Sequence, residues 1–152
     1  DYPAGGLRKT IPLFGSGFLT DGVLDAVDNA AEGIETTLHY ADGLNTKRDQ
    51  AFRAAYRKAF KSEPDVYAVQ GFDAGLLLAA GLDAVKGDVS KKKEMIAAME
   101  KTKIDSPRGA WTMSKAHNPI QDFYLRKVVG RENRFVSIAR KALADPARGC
   151  KI

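Results

Sequence analysis

Apolar positions are densest in residues 65–86, DVYAVQGFDAGLLLAAGLDAVK. Val66, Val69, Phe72, Leu76, Leu77, Ala80 and Ala84 recur at three- and four-residue steps, the period of an α-helix. Ala68, Leu78, Ala79, Leu82 and Val85 occupy the remaining sides, which predicts a helix buried nearly all round. Gly71, Gly75 and Gly81 each cost roughly 1 kcal/mol of helix propensity against alanine, which makes sense where other backbone passes close by. Asp73 and Asp83 interrupt the run, whereas a membrane span carries about 20 consecutive apolar residues. The segment therefore reads as the central helix of a soluble α/β layer.

Upstream, residues 11–14 (IPLF) form a short apolar run that predicts a buried strand entering a tight loop at Gly15-Ser16-Gly17. Asp21 is placed to cap a short helix carrying Val23, Leu24, Val27, Ala30 and Ala31. Gly33 ends that helix, and residues 34–40 (IETTLHY) have β-strand composition. Strand, helix and strand with short connections make a βαβ unit with a parallel sheet. Asn45 or Thr46 then caps an amphipathic helix with Phe52, Ala55, Tyr56, Ala59 and Phe60 on one stripe and Arg53, Arg57, Lys58 and Lys61 opposite. Beyond the central helix, Ser90 is placed to cap a third one with Met95, Ile96 and Met99 inward. Three successive helices cannot alternate with the first strands, so they are expected to cover a sheet not contained in this sequence. From residue 108 the period shifts to two. Residues 108–113 read as a strand, 114–119 as a turn, and 122–129 with 134–140 as an antiparallel hairpin around the polar residues 130–133.

The 152 residues suffice for a core, and 44% hydrophobic with 28% charged residues is globular composition. A net charge of +5 raises the question of nucleic acid. The basic residues are scattered, however. Lys91-Lys92-Lys93, the one run, stands at a helix start and reads as a solvated face, so no nucleic-acid partner is expected. Cys150, the single cysteine, cannot form an internal disulfide. The opening DYPAGGLRKTIPLF has neither an apolar leader core nor a cleavage site.

Candidate chemistry is sparse. Gly15-x-Gly17 after a strand invites a dinucleotide reading, but Thr20 stands where the fingerprint needs a third glycine. The glycines also serve a plain sharp turn. A third reading fits better: ligands of open α/β sheets sit beyond the carboxyl ends of the strands. There the N–H groups of Ser16, Gly17 and Phe18 would hold an anionic group, aided by the positive end of the following helix. His39 and His117 are the only histidines, and no Cys, His, Asp and Glu cluster has zinc spacing. His117 reads as a turn residue; His39, at a strand end, is structural or reaches a cleft. Asp73 either satisfies neighbouring donors or faces a ligand. No catalytic residue, metal or cofactor is assigned, and a cofactor-binding enzyme domain stays the alternative to a binding protein.

IPLFGSGF, DAVDNAAEGIETTLHYA, the helix pair ending KSEPDVYAVQGFDAGLLLAAGLDAV, then RGAWTM and HNPIQDFYLRKVV, occur in an order that resembles the second half of a type I periplasmic solute-binding protein. The group it looks most like serves ABC importers, and its best-known members bind leucine, isoleucine and valine. The most specific parts are AAEGI before the strand and P-x-x-Y-A-x-x-G-[FY]-D-A from Pro64 to Ala74.

The resemblance implies a Rossmann-like α/β fold of two lobes joined by three crossovers, with only the second half of the chain present. Residues 1–41 would supply a strand–helix–strand part of lobe 2, and 42–113 the helices and crossover strand of lobe 1. Residues 114–152 would supply the hinge return, the lobe 2 hairpin and the tail. Hinges would fall at residues 40–42 and 114–119, and a cysteine in the missing half would be a partner for Cys150. The implied function is a non-enzymatic, periplasmic or extracytoplasmic receptor that closes on a small solute and delivers it to a membrane permease; a sensory version of the same fold is a further alternative. Amino-acid-binding members carry a glutamate in the loop after the strand, and the matching Gly15-Ser16-Gly17-Phe18 has no carboxylate. The expected ligand is a small carboxylate with an aromatic or apolar body, held by Ser16, Gly17 and Phe18, with Phe72, Asp73 and His39 as further site residues.

Overall fold

The computed structural model describes residues 2–149; Cys150, and with it the disulfide expectation, lies outside them. Two compact units emerge, residues 1–44 with 123–140 and residues 45–122 with 141–152. The backbone passes between them after residues 44, 122 and 140.

In the first unit, β1 (Phe14–Ser16) runs parallel to β2 (Glu35–Leu38) with Ser16 opposite Thr37. β2 pairs antiparallel with the later part of β4 (Pro119–Val129), which in turn pairs with β5 (Glu132–Leu143). Inward positions alternate along these strands: Thr36 and Leu38 on β2, and Tyr124, Arg126 and Val128 on β4, are buried. The core is Leu24, Ala31 and Val128 with Val27 and Ile34 packed against them. The hairpin turn is tighter than the four residues read from sequence. Only Gly130 and Arg131 separate the strands, and Gly130 takes the left-handed φ of 62° that the first position of a type II′ turn requires.

Two expectations fail in this unit. The first strand begins at Phe14, and Ile11 and Phe14 are more than half exposed, because β1 is an edge strand with β2 as its sole neighbour. The helix expected over residues 23–31 is a series of turns ending in a 3-10 turn at Asp28–Ala31. Asp21 does not cap it, since its carboxylate is drawn to Arg126.

In the second unit, α1 (Lys47–Phe60) is capped by Thr46, whose hydroxyl accepts from the Asp49 N–H. α2 (Val66–Ala84) is capped by Asp65 in the same way, accepting from the Ala68 N–H. α3 (Lys92–Lys101) starts without a side-chain cap; Ser90 instead donates its hydroxyl to Asp88. β3 (Thr112–Met113) pairs antiparallel with the start of β4, and Ile104 bridges Trp111. Most of the strand expected over 108–113 is therefore irregular chain.

α2 is not buried all round. Val66, Val69, Asp73 and Gly81 are enclosed, while Tyr67 is 50% and Leu78 48% exposed. α1 and α3 meet it at Phe72 and Gly81, and Arg108 and Trp111 close over Asp73. Phe52 of α1 stacks on Phe72 at 5.0 Å, and Met95 and Met99 of α3 close over Gly81, where an added Cβ would lie 2.8 Å from Met99 Cγ. A Cβ at Gly71 or Gly75 would meet nothing. Of the three glycines expected to lie against backbone, Gly81 alone is closely approached, and by methionine side chains instead. Among the described residues no helix is long and apolar enough to cross a membrane.

Two outcomes are expected from this packing. Gly75→Ala raises stability of this chain by about 1 kcal/mol through helix propensity, whereas Gly81→Leu lowers it by roughly 1–3 kcal/mol through overpacking; urea denaturation of both variants checks the pair. Asp88, in the turn between α2 and α3, has its pKa lowered chiefly by the Ser90 hydroxyl and then by the Ser90 N–H, against an opposing effect of desolvation, with Lys91 adding least. A carboxylate with a depressed folded pKa stabilises the fold above its unfolded pKa, and the contribution disappears as pH falls through the folded value. An NMR titration of Asp88 should therefore give a midpoint below 3.8, and Ser90→Ala should move it upward.

Candidate functional site

The parallel register brings the carboxyl ends of β1 and β2 side by side, so residues 16–18 and 38–40 emerge at one edge of the first unit. Ser16 and Phe18 are exposed there, Phe18 by 58%, and Gly17 is buried between them. The chain then turns through a three-residue 3-10 segment, Gly17–Leu19, in which the Gly17 carbonyl accepts from the N–H groups of Thr20 and Asp21. This corrects one expectation: no α-helix follows the loop, so no helix dipole points at a ligand there. His39 is buried, its ring edge-to-face with Phe123 at 6.2 Å.

Gly17 has a packing reason to be glycine. An added Cβ would sit 2.6 Å from both Arg126 Nη2 and Leu38 Cβ. Arg126 is 1% exposed and stands opposite Thr36 in the β2–β4 register. Its guanidinium donates to Asp21 Oδ2 at 2.6 Å, to Thr36 Oγ1 at 3.0 Å and to the Tyr40 carbonyl at 3.1 Å. This group was missed in the sequence. The signal was present, because the two-residue period of DFYLRKVV puts Arg126 in phase with Tyr124 and Val128.

In the second unit, Phe72 is half-buried on α2, with Phe52 on one side and the Arg48 guanidinium 5.0 Å from its ring centroid. Asp73, 3% exposed, turns the other way. Its Oδ2 accepts from Arg108 Nε at 2.6 Å and Trp111 Nε1 at 3.0 Å. The Arg108 guanidinium also lies 5.3 Å from the Trp111 ring centroid. Asp73 Oδ1 is buried without a hydrogen-bond partner among the described residues. Ser16, Gly17, Phe18 and His39 thus gather in the first unit, and Phe72 and Asp73 lie on adjacent positions of one helix in the second. Among the described residues no group of three or more His, Cys, Asp and Glu is placed to hold a metal ion.

A family model described as periplasmic binding protein matches residues 1–133. The chain belongs to the periplasmic binding protein family. Among solved structures it is similar to an ABC transporter solute-binding protein of Rhodopseudomonas palustris in complex with benzoate. They share 51% identity with a TM-score of 0.91, over 100% of this chain and 42% of that one. A solute-binding protein of R. palustris BisB5 in complex with 3,4-dihydroxybenzoic acid is 31% identical over 96% of this chain and 42% of its own, with a TM-score of 0.81. One from R. palustris HaA2, in complex with p-hydroxybenzoic acid, is 26% identical over 97% and 42%, with a TM-score of 0.84. No curated protein matches. This periplasmic binding protein chain thus spans about 42% of the length of these solved relatives, which are solute-binding proteins of ABC transporters.

The Asp73–Arg108–Trp111 cluster makes a definite prediction for this periplasmic binding protein chain. Removing one partner of a buried ion pair leaves an uncompensated charge and costs about 3–5 kcal/mol. Asp73→Ala is expected to lose that much in urea unfolding, and Asp73→Asn, which neutralises the acceptor but keeps its shape, to lose less.

Proposed function

We propose that this chain is part of an extracytoplasmic receptor of an ABC importer, which binds a small aromatic carboxylate without transforming it. The observation that carries this reading is the 51% identity, across the whole chain, to a solute-binding protein in complex with benzoate. The loop chemistry supports it. Gly15-Ser16-Gly17-Phe18 offers backbone donors and an exposed aromatic ring but no carboxylate. Backbone N–H groups suit a carboxylate, and flat rings suit an aromatic body. An α-ammonium would need an acidic partner, which this loop lacks.

In this reading Ser16, Gly17 and Phe18 receive the carboxylate, and Phe72 and His39 are further residues of the ligand site. Asp73 serves as a support, since a buried aspartate whose Oδ2 is already held by Arg108 and Trp111 would repel an anionic ligand. Residues 1–41 and the β4–β5 hairpin belong to one lobe and residues 42–113 to the other, and closure of the lobes on the solute is the transport signal. A membrane permease is the downstream partner. The missing N-terminal half supplies the sheet for the open side of α2; the exposed Tyr67 and Leu78 and the vacant space over Gly71 and Gly75 support this.

Calorimetric titration of the full-length protein with benzoate, 4-hydroxybenzoate and leucine tests the proposal. The aromatic acids should bind with Kd of about 1 μM or tighter, near −8 kcal/mol. Phe18→Ala should weaken them by about 1 kcal/mol. Tight leucine binding with no response to the aromatic acids would overturn it.

A further inference from the structure

We propose that Arg126 is the positioning residue of the loop at residues 16–21, fixing that loop and the exit of β2 as one rigid piece; the claim rests on the reading of this loop as the ligand-holding one. Arg126 is 1% exposed, and its guanidinium is taken up by partners inside the unit. Its fork reaches three residues, Asp21 and Thr36 through their side chains and Tyr40 through its backbone carbonyl. Nη2 and Nη1 take both carboxylate oxygens of Asp21, at 2.6 and 3.3 Å, which pins the end of the loop. Nε and Nη2 take the Thr36 hydroxyl inside β2, and Nη1 takes the Tyr40 carbonyl beyond its end. Gly17 supplies the space into which the guanidinium fits, since any Cβ there would collide with it.

A second tie runs between the same two segments. The Thr20 hydroxyl donates to Asn133 Oδ1 at 2.6 Å, the Asn133 N–H donates to Asp42 Oδ2 at 2.9 Å, and the Asp42 N–H donates to the Asn133 carbonyl at 2.8 Å. Both ties join residues 20–21 to residues 40–42, just before the backbone leaves this unit after residue 44. A buried guanidinium–carboxylate pair is a poor source of net stability, because desolvation offsets most of the attraction. What it supplies is direction: five donors in a planar fork hold partners at fixed angles, which an ammonium cannot do. Backbone donors hold a ligand well only when their positions are set to within about half an ångström.

The test compares Arg126→Lys, which keeps the charge and loses the fork, with Leu24→Ala, a core truncation in the same unit, at temperatures chosen for equal distance below each Tm. Amide hydrogen exchange in the full-length protein is the first readout. Arg126→Lys is expected to speed exchange at residues 16–21 and 40–42 together by about tenfold or more, and Leu24→Ala to leave both segments near wild type. Benzoate affinity is the second readout, with a loss of about tenfold or more for Arg126→Lys and less than about twofold for Leu24→Ala. Should Arg126→Lys fail to fold, Asp21→Asn carries the same comparison. Equal exchange in the two variants, or acceleration in one segment without the other, would overturn the inference. Wild-type protein that ignores benzoate while the exchange pattern holds would sink the ligand reading and leave the positioning role standing.

Discussion

A charge taken out of water must find its counter-charge, and each unit of this chain is built around one such obligation. In the first, Arg126 and Asp21 meet beneath the loop that follows β1; in the second, Asp73 meets Arg108 beside Trp111. In both cases the pair joins an element of regular structure to irregular chain: strand β4 to a loop, helix α2 to the turn before β3. Backbone without a ladder or helix to order it is held instead by a directional side-chain bond. That accounts for charged residues standing where an apolar one would fill the space more cheaply.

The second constraint is an unfilled one. α2 is hydrophobic on nearly every side, yet Tyr67 and Leu78 stay exposed while Val66, Val69 and Asp73 are enclosed. Phe60 of α1 and Ile96 of α3 are likewise exposed, so the open surface belongs to the layer as a whole and not to a single helix. The chain matches about 42% of the length of the solute-binding proteins to which it is similar.

The loop after β1 shows how one backbone serves two demands. Gly17 must be small so that Arg126 can pass beneath it, and this draws the chain into a 3-10 turn with its flanking residues, Ser16 and Phe18, outward. The conformation that accommodates the buried fork also leaves Ser16 and Phe18 exposed at the strand edge. Packing below the loop and exposure above it are set by the same turn.

Much of this was legible in the chain itself. The three- and four-residue period located α1 and α2, Asn45 or Thr46 was read as the cap of the first, and the strands around the polar residues 130–133 read as a hairpin. These signals are local: a cap acts over three residues and a helical face over four. The motif order pointed to the periplasmic binding protein family, which the family model over residues 1–133 shows. What the sequence could not disclose was which charges meet. Asp21 lies 105 residues from Arg126 and Asp73 lies 35 from Arg108, and no periodicity links positions so far apart. Those pairings exist only once the strands are in register. They decided that Asp21 holds a guanidinium instead of capping a helix, that Gly17 is a gap for packing, and that the carboxylate in α2 is bonded inward.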